Sequence, residues 1–167
     1  MATGECNCGA VAFEITTDLP GVIVCHCSIC RRATGSNGIA VIVVANEEFR
    51  WLRGEDRITS WKKPDADWEM WFCRTCGSPV PGMNDEARMF VPAGLIVDGG
   101  ESLKVIHHIW VDSKAPWDEI GDSGKQHREA FGGEPAQDSA ILRSNVYIDT
   151  NRFLRDCGCR PEAAASG

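Results

Sequence analysis

Cys25-His26-Cys27-Ser28-Ile29-Cys30 puts three thiols within six residues. In an extended chain Cys25 and Cys27 share one face. Cys30 completes a Cys-x-x-Cys with Cys27, the spacing of a knuckle that turns two thiolates toward one metal ion. Neither strand nor helix packing asks for such a run. Three sulfurs aimed at one point, with no fourth ligand in the segment, suit a zinc ion that keeps an open position, which is how catalytic zinc sites differ from structural ones. Two other readings stand beside this one. A fourth ligand from Cys157, Cys159 or a histidine would close the site, and a disulfide between two of the three would leave one thiol over.

A second set is split between two distant segments. Cys6-Asn7-Cys8 is followed by Gly9, and Cys73-Arg74-Thr75-Cys76 by Gly77. Two thiolates cannot complete a tetrahedral zinc, so the first pair requires a second. The spacing assigns Cys6, Cys8, Cys73 and Cys76 to one closed structural zinc, whose binding energy becomes folding energy by closing a long loop. A redox Cys-x-x-Cys would need a helix start in a βαβ context, which the flanking residues lack.

Arg31-Arg32 follows the three-thiol run directly. Two solvated cations are one reading. An anion clamp for a substrate carboxylate is the other, since guanidinium groups match carboxylates in paired hydrogen bonds. Gly35 and Ser36 add backbone or hydroxyl donors for the same ligand. His107 and His108 lie on an alternating segment and must face opposite sides. A strand histidine is more often a hydrogen-bonded residue than a ligand, yet one of the two could reach the zinc or a substrate.

The segments that must position these groups are short and β-branched. Ala10 to Thr16, Val22 to Val24, Ile39 to Val44, Phe49 to Gly54, Arg57 to Trp61, Met89 to Pro92, Gly94 to Val97 and Val105 to Val111 read as strands between glycine and proline turns. Residues 31–38 read as a glycine-punctuated loop. Trp117 reads as core or as a pocket wall. Ser123 to Phe131 and Asp149 to Asp156 read as two short helices, followed by Cys157-Gly158-Cys159 and an alanine-rich tail. The expected architecture is all-β, with a zinc-binding domain over 1–120 and an extension over 121–167 packed on it.

The chain has 167 residues, 43% hydrophobic and 25% charged, the size and balance of one globular domain. A net charge of -7, with only two basic pairs, argues against nucleic acid as the main partner. No apolar run reaches membrane-spanning length, and the first residues lack the pattern of a signal peptide. A cytoplasmic location is therefore expected. Nine cysteines, an odd number, there read as metal ligands rather than a disulfide framework. The oligomeric state is open, a homodimer included.

Gly4-Glu5-Cys6-Asn7-Cys8-Gly9, Cys25-His26-Cys27-Ser28-Ile29-Cys30-Arg31-Arg32-Ala33-Thr34-Gly35-Ser36, Phe72-Cys73-Arg74-Thr75-Cys76-Gly77-Ser78, His108-Ile109-Trp110 and Ala115-Pro116-Trp117 together resemble the glutathione-dependent formaldehyde-activating enzymes, a family that includes centromere protein V. The resemblance runs over about residues 4–120 and implies a β-tent fold of short antiparallel coiled sheets around two zinc ions per chain. It implies a closed zinc on Cys6, Cys8, Cys73 and Cys76 and a catalytic zinc on Cys25, Cys27 and Cys30. The implied activity is that of a carbon–sulfur lyase joining glutathione, the co-substrate, to formaldehyde or another small aldehyde. Two rival expectations remain: a non-catalytic zinc module that binds a protein partner, and a zinc store or redox-sensitive switch.

Overall fold

The structure, a computed structural model, describes residues 1–131. Its strands are β1 (Ala2–Glu5), β2 (Ala12–Ile15), β3 (Val22–Cys25), β4 (Ile39–Ala45), β5 (Phe49–Arg53), β6 (Ile58–Lys62), β7 (Glu69–Cys73), β8 (Gly82–Met83), β9 (Arg88–Pro92), β10 (Ile96–Asp98), β11 (Val105–Ile109) and β12 (Lys125–Gln126). A single α-helix among the described residues, α1 (Ser28–Thr34), lies between β3 and β4. The all-β expectation holds.

Three sheets form, in the orders β10-β1-β2-β5, β12-β11-β3-β4-β9-β8 and β6-β7. The six-stranded sheet is the middle layer, because its strands are apolar on both faces. On one face, Val22, Ile42, Val44 and Val91 pack with Phe13, Ile15 and Phe49 of the four-stranded sheet. On the other, Ile23, Cys25, Ile39, Val41, Phe90 and Ile109 pack with Trp68 and Met70 from the β6–β7 hairpin. Strand alternation therefore sends Cys25 to the hairpin side and Val24 to the four-stranded side. A third, smaller core gathers Cys6, Val11, Cys73 and Val80.

Several expectations need correction. The sheets are not wholly antiparallel: β11 runs parallel to both β3 and β12. No hairpin joins β3 to β11, so the long connection leaves their relative direction free. Residues 28–34 are helical rather than a knuckle and loop. Cys27 is the N-cap, its Sγ accepting from Cys30 N–H, and Gly35 ends the helix at φ 66° with its N–H on Arg31 O. At seven residues this helix is too short to show a periodicity in the sequence. Residues 123–131 are not a helix: Lys125 and Gln126 pair with His107 and His108, and His127 N–H donates to His108 O. The open edge of β11 supplies backbone partners that a short isolated helix would lack. Trp117 is 70% exposed, because its neighbours Ala115 and Asp118 take the inward positions of that turn. The helix expected over 149–156, Cys157 and Cys159 lie outside the described residues.

Phe13 is fully buried, with its ring stacked on Phe49 at 5.5 Å and edge-on to Trp51 at 6.3 Å. Phe13→Ala is expected to cost about 3–5 kcal/mol, read as a lower urea midpoint at unchanged slope. A loss below about 1 kcal/mol would mean that the core between the four- and six-stranded sheets does not depend on this ring.

Candidate functional site

Two thiol groups stand out, and both were legible in the sequence. Ligand atoms of Cys6, Cys8, Cys73 and Cys76 lie within 4.8 Å of one another, as do those of Cys25, Cys27 and Cys30. Among the described residues no other histidine, cysteine, aspartate or glutamate joins the second group.

The four-cysteine group is made by two turns that face each other. Gly9 (φ 71°) and Gly77 (φ 74°) close them, each donating its N–H back to a cysteine carbonyl, Cys6 O and Cys73 O. Asn7 N–H on Ser78 Oγ at 3.1 Å ties one turn to the other. Sulfur separations are 3.6 Å for Cys6–Cys8 and 3.8 Å for Cys8–Cys73. Sulfurs about 2.3 Å from a tetrahedral zinc would lie about 3.8 Å apart, so this set fits the ion. Val11 N–H reaches Cys6 Sγ at 3.3 Å, an outer contact of the kind that orients a ligand. The hydroxyl and backbone of Ser78 draw the Cys76 thiol down to about 6. Ala10 N–H favours the Cys8 thiolate, but the thiols of Cys76, Cys6 and Cys73, with some desolvation, outweigh it and push Cys8 up to about 12. Without a cation the four sulfurs therefore do not ionise together.

The three-cysteine group is set deeper. Cys25 ends β3, Cys27 caps α1 and Cys30 sits in its first turn, and all three are at most 1% exposed. They belong to the main apolar cluster, against which Trp110, Ala130 and Phe131 also pack. Contact with Cys27 pushes Cys25 well above the ordinary thiol range, and contact with Cys25 does the same to Cys30; burial adds to both. Three all-sulfur donors converging from one segment fit a soft metal ion.

The remaining sequence-predicted residues separate. Arg31 and Arg32 lie on α1 just after Cys30. Arg32 is exposed, whereas Arg31 is half-buried and its Nε is sealed without a hydrogen-bond partner among the described residues. The N–H groups of Gly35 and Ser36 both turn back to Arg31 O, and the Ser36 hydroxyl donates to Asn37 Oδ1 at 3.0 Å, so these expected donors are already engaged. Ser36 lines a different space, a cleft of about 560 Å³ that also touches Val24, His26, His108, Asp118 and Asp122. That cleft is on the Val24 side of the sheet, opposite the three thiols.

Sequence reading missed what happens in the cleft. His26 Nε2 is 2.9 Å from His108 Nδ1, and His108 Nε2 is 2.9 Å from Asp122 Oδ1. His26 Nδ1 is 2.9 Å from Asp118 Oδ2, close enough to pair although off the line of a good hydrogen bond. Burial pushes the His26 imidazole down despite the Asp118 carboxylate, and the hydrogen bond from His108 lowers Asp122. The alternation of Val105 to Val111 did place His107 and His108 on opposite sides. His107 instead meets His127 at 3.1 Å. Trp110 was also missed: among the described residues it holds the single non-glycine positive φ, 59°, and its indole Nε1 is sealed without a partner. A bulky residue in that conformation marks stored strain, which clusters at functional sites.

Residues 1–113 match the sequence model of the family described as glutathione-dependent formaldehyde-activating enzyme. A Halomonas elongata protein, provisionally named as a glutathione-dependent formaldehyde-activating enzyme, is 28% identical over 157 residues, covering 89% of this chain and 98% of that one. A crystal structure of a Rhodobacter sphaeroides protein shares 27% identity at a TM-score of 0.47, over 57% of this chain and 88% of that one.

Because Cys25 and Cys30 hold their protons above the ordinary thiol range, metal must displace them. Adding zinc to the reduced apo-protein at neutral pH is expected to release protons, and lowering the pH to weaken binding. A pH indicator in weak buffer reads this directly; metal uptake without acidification would contradict it.

Proposed function

The chain belongs to the glutathione-dependent formaldehyde-activating enzyme family, and from that premise we propose that it is a zinc-dependent carbon–sulfur lyase. It adds the thiol of glutathione to formaldehyde, or to another small aldehyde, at the centre made by Cys25, Cys27 and Cys30. The observation that carries this reading is a buried group of three thiols with no fourth His, Cys, Asp or Glu ligand among the described residues. Family membership and the name of the Halomonas elongata relative support the coarser statement, glutathione-dependent formaldehyde activation.

In this reading Cys6, Cys8, Cys73 and Cys76 hold one zinc that ties β1–β2 to the end of β7, and Cys25, Cys27 and Cys30 hold a second. A zinc held by these three thiolates would supply a site that keeps an added thiol deprotonated and electron-rich. Addition of glutathione to the aldehyde forms one carbon–sulfur bond, between the thiol sulfur and the aldehyde carbon. The proton lost by the thiol ends on the former carbonyl oxygen, and the reverse reaction returns it.

The chain's own groups bind and orient the reactants. The apolar cluster around the thiols keeps bulk water from the nucleophile. Arg31, with a sealed Nε lacking a partner, and the exposed Arg32 supply cationic donors for glutathione carboxylates. Trp110, packed on the same cluster with an unpaired indole N–H, supplies a third donor. Leaving such a donor buried and unmet costs about 1–3 kcal/mol, which an acceptor atom on the substrate would recover.

Cys27→Ser keeps the volume and the helix cap but replaces a good zinc ligand with a poor one. It is expected to abolish glutathione-dependent formaldehyde consumption while cooperative melting is kept. Undiminished turnover in that variant would remove the proposal. Cys73→Ser should instead abolish cooperative melting, because its metal joins distant segments. Trp110→Phe, which removes only the N–H and part of the ring, is expected to raise KM for glutathione about tenfold; an unchanged KM would exclude the donor role.

A further inference from the structure

His26 sits between two of the three thiol residues, yet its side chain does not share their surroundings. Alternation turns Cys25 and Cys27 to the hairpin side of the middle sheet and His26 to the cleft side. There the imidazole is 1% exposed and is met at both nitrogens, by Asp118 Oδ2 and His108 Nδ1, each at 2.9 Å. Both partners are themselves held. Asn37 Nδ2 donates to Asp118 Oδ1 at 2.9 Å, and Lys114 Nζ to Asp118 O at 2.6 Å. Asp122 Oδ1 takes His108 Nε2 at 2.9 Å and Gly124 N–H at 2.7 Å. The His26 backbone is fixed as well, its N–H on Ile109 O at 3.0 Å.

We propose that this chain, Asp118–His26–His108–Asp122, is a clamp whose task is to position Cys25 and Cys27 for the metal. Asp118, His108 and Asp122 are positioning residues, because they act on the ligands only through His26. The inference rests on the reading of Cys25, Cys27 and Cys30 as a metal centre, and it adds residues that lie partly beyond the 1–113 family match.

Two physical arguments support it. A site with four ligands from two distant turns is oriented by its own bonds, but one with three ligands from a six-residue run has fewer tethers. Its geometry must be imposed from outside, and outer contacts of metal sites do this commonly. Secondly, two imidazoles and a carboxylate buried in a core carry a desolvation cost that apolar side chains of similar size would avoid. A polar chain hydrogen-bonded from His26 through His108 to Asp122, with Asp118 set against the other nitrogen of His26, constrains the backbone it grips, which a packed hydrocarbon does less specifically. The segment from Lys114 to Gly124 is thereby linked to the thiols without touching them.

The test is zinc release from the metal-loaded full chain to a chromogenic chelator in excess, with melting followed in parallel. The wild type is expected to release in two phases, the one lost in Cys27→Ser belonging to the three-cysteine centre. His108→Ala and Asp118→Ala should accelerate that phase about tenfold or more and leave the other unchanged. Asp122→Ala changes a side chain that is 45% exposed, so it keeps the fold, and it should accelerate the same phase to a smaller extent. A KM for glutathione that changes less than kcat would accompany this. Unchanged release in all three variants, or equal acceleration of both phases alongside a lower Tm, would overturn the clamp while leaving the lyase reading intact. A wild type that binds one zinc per chain and shows one phase would overturn both.

Discussion

Three sulfurs pressed together inside an apolar core are the constraint on which the rest of this structure depends. Contact with Cys27 raises the proton affinity of Cys25, contact with Cys25 and Cys27 raises that of Cys30, and burial adds to both, so these two thiols resist ionising without a cation. The surrounding fold looks like the answer to that problem. Strand β3 and helix α1 meet at Cys27, which serves at once as helix cap and thiol donor. The hairpin β6–β7 covers the sulfurs on one side of the sheet, and an imidazole wedged between two partners holds the same backbone from the other.

The two cysteine groups divide the work differently. The four-cysteine set lies near the surface, with Cys8 exposed and Cys76 half-buried, and it joins segments more than sixty residues apart, as the 65-residue separation of Cys8 and Cys73 shows. Its sulfur spacing already matches a tetrahedron. The three-cysteine set comes from one short run and lies in the main core. Exposure alone would have suggested the reverse assignment, with the accessible set as the reactive one. The proposed function follows ligand number instead: a filled tetrahedron would leave no place for a substrate atom, however exposed it is.

Much of this was readable from residue types and spacing. The seven cysteines announced both groups, and alternating β-branched runs announced most of the strands. What escaped shares a physical cause, dependence on partners far away in sequence. The seven-residue α1 is set by its two caps rather than by an apolar period. The parallel pairing of β11 with β3, and the β12 edge in place of a helix, follow from which sheet edge lies open. The His26–His108 pair spans 82 residues, and only the opposite facing of His107 and His108 could be read locally. Trp110 in a left-handed conformation has no local signal, since no glycine or asparagine stands there to announce it.

The central claim is that one thiol centre has room for a visiting sulfur and the other does not. Cadmium-113 NMR of the reduced, cadmium-loaded protein titrated with glutathione tests it most directly. Two resonances are predicted, of which only the one that disappears in Cys27→Ser moves as the tripeptide is added. Two resonances that both stay fixed at saturating glutathione would contradict the account.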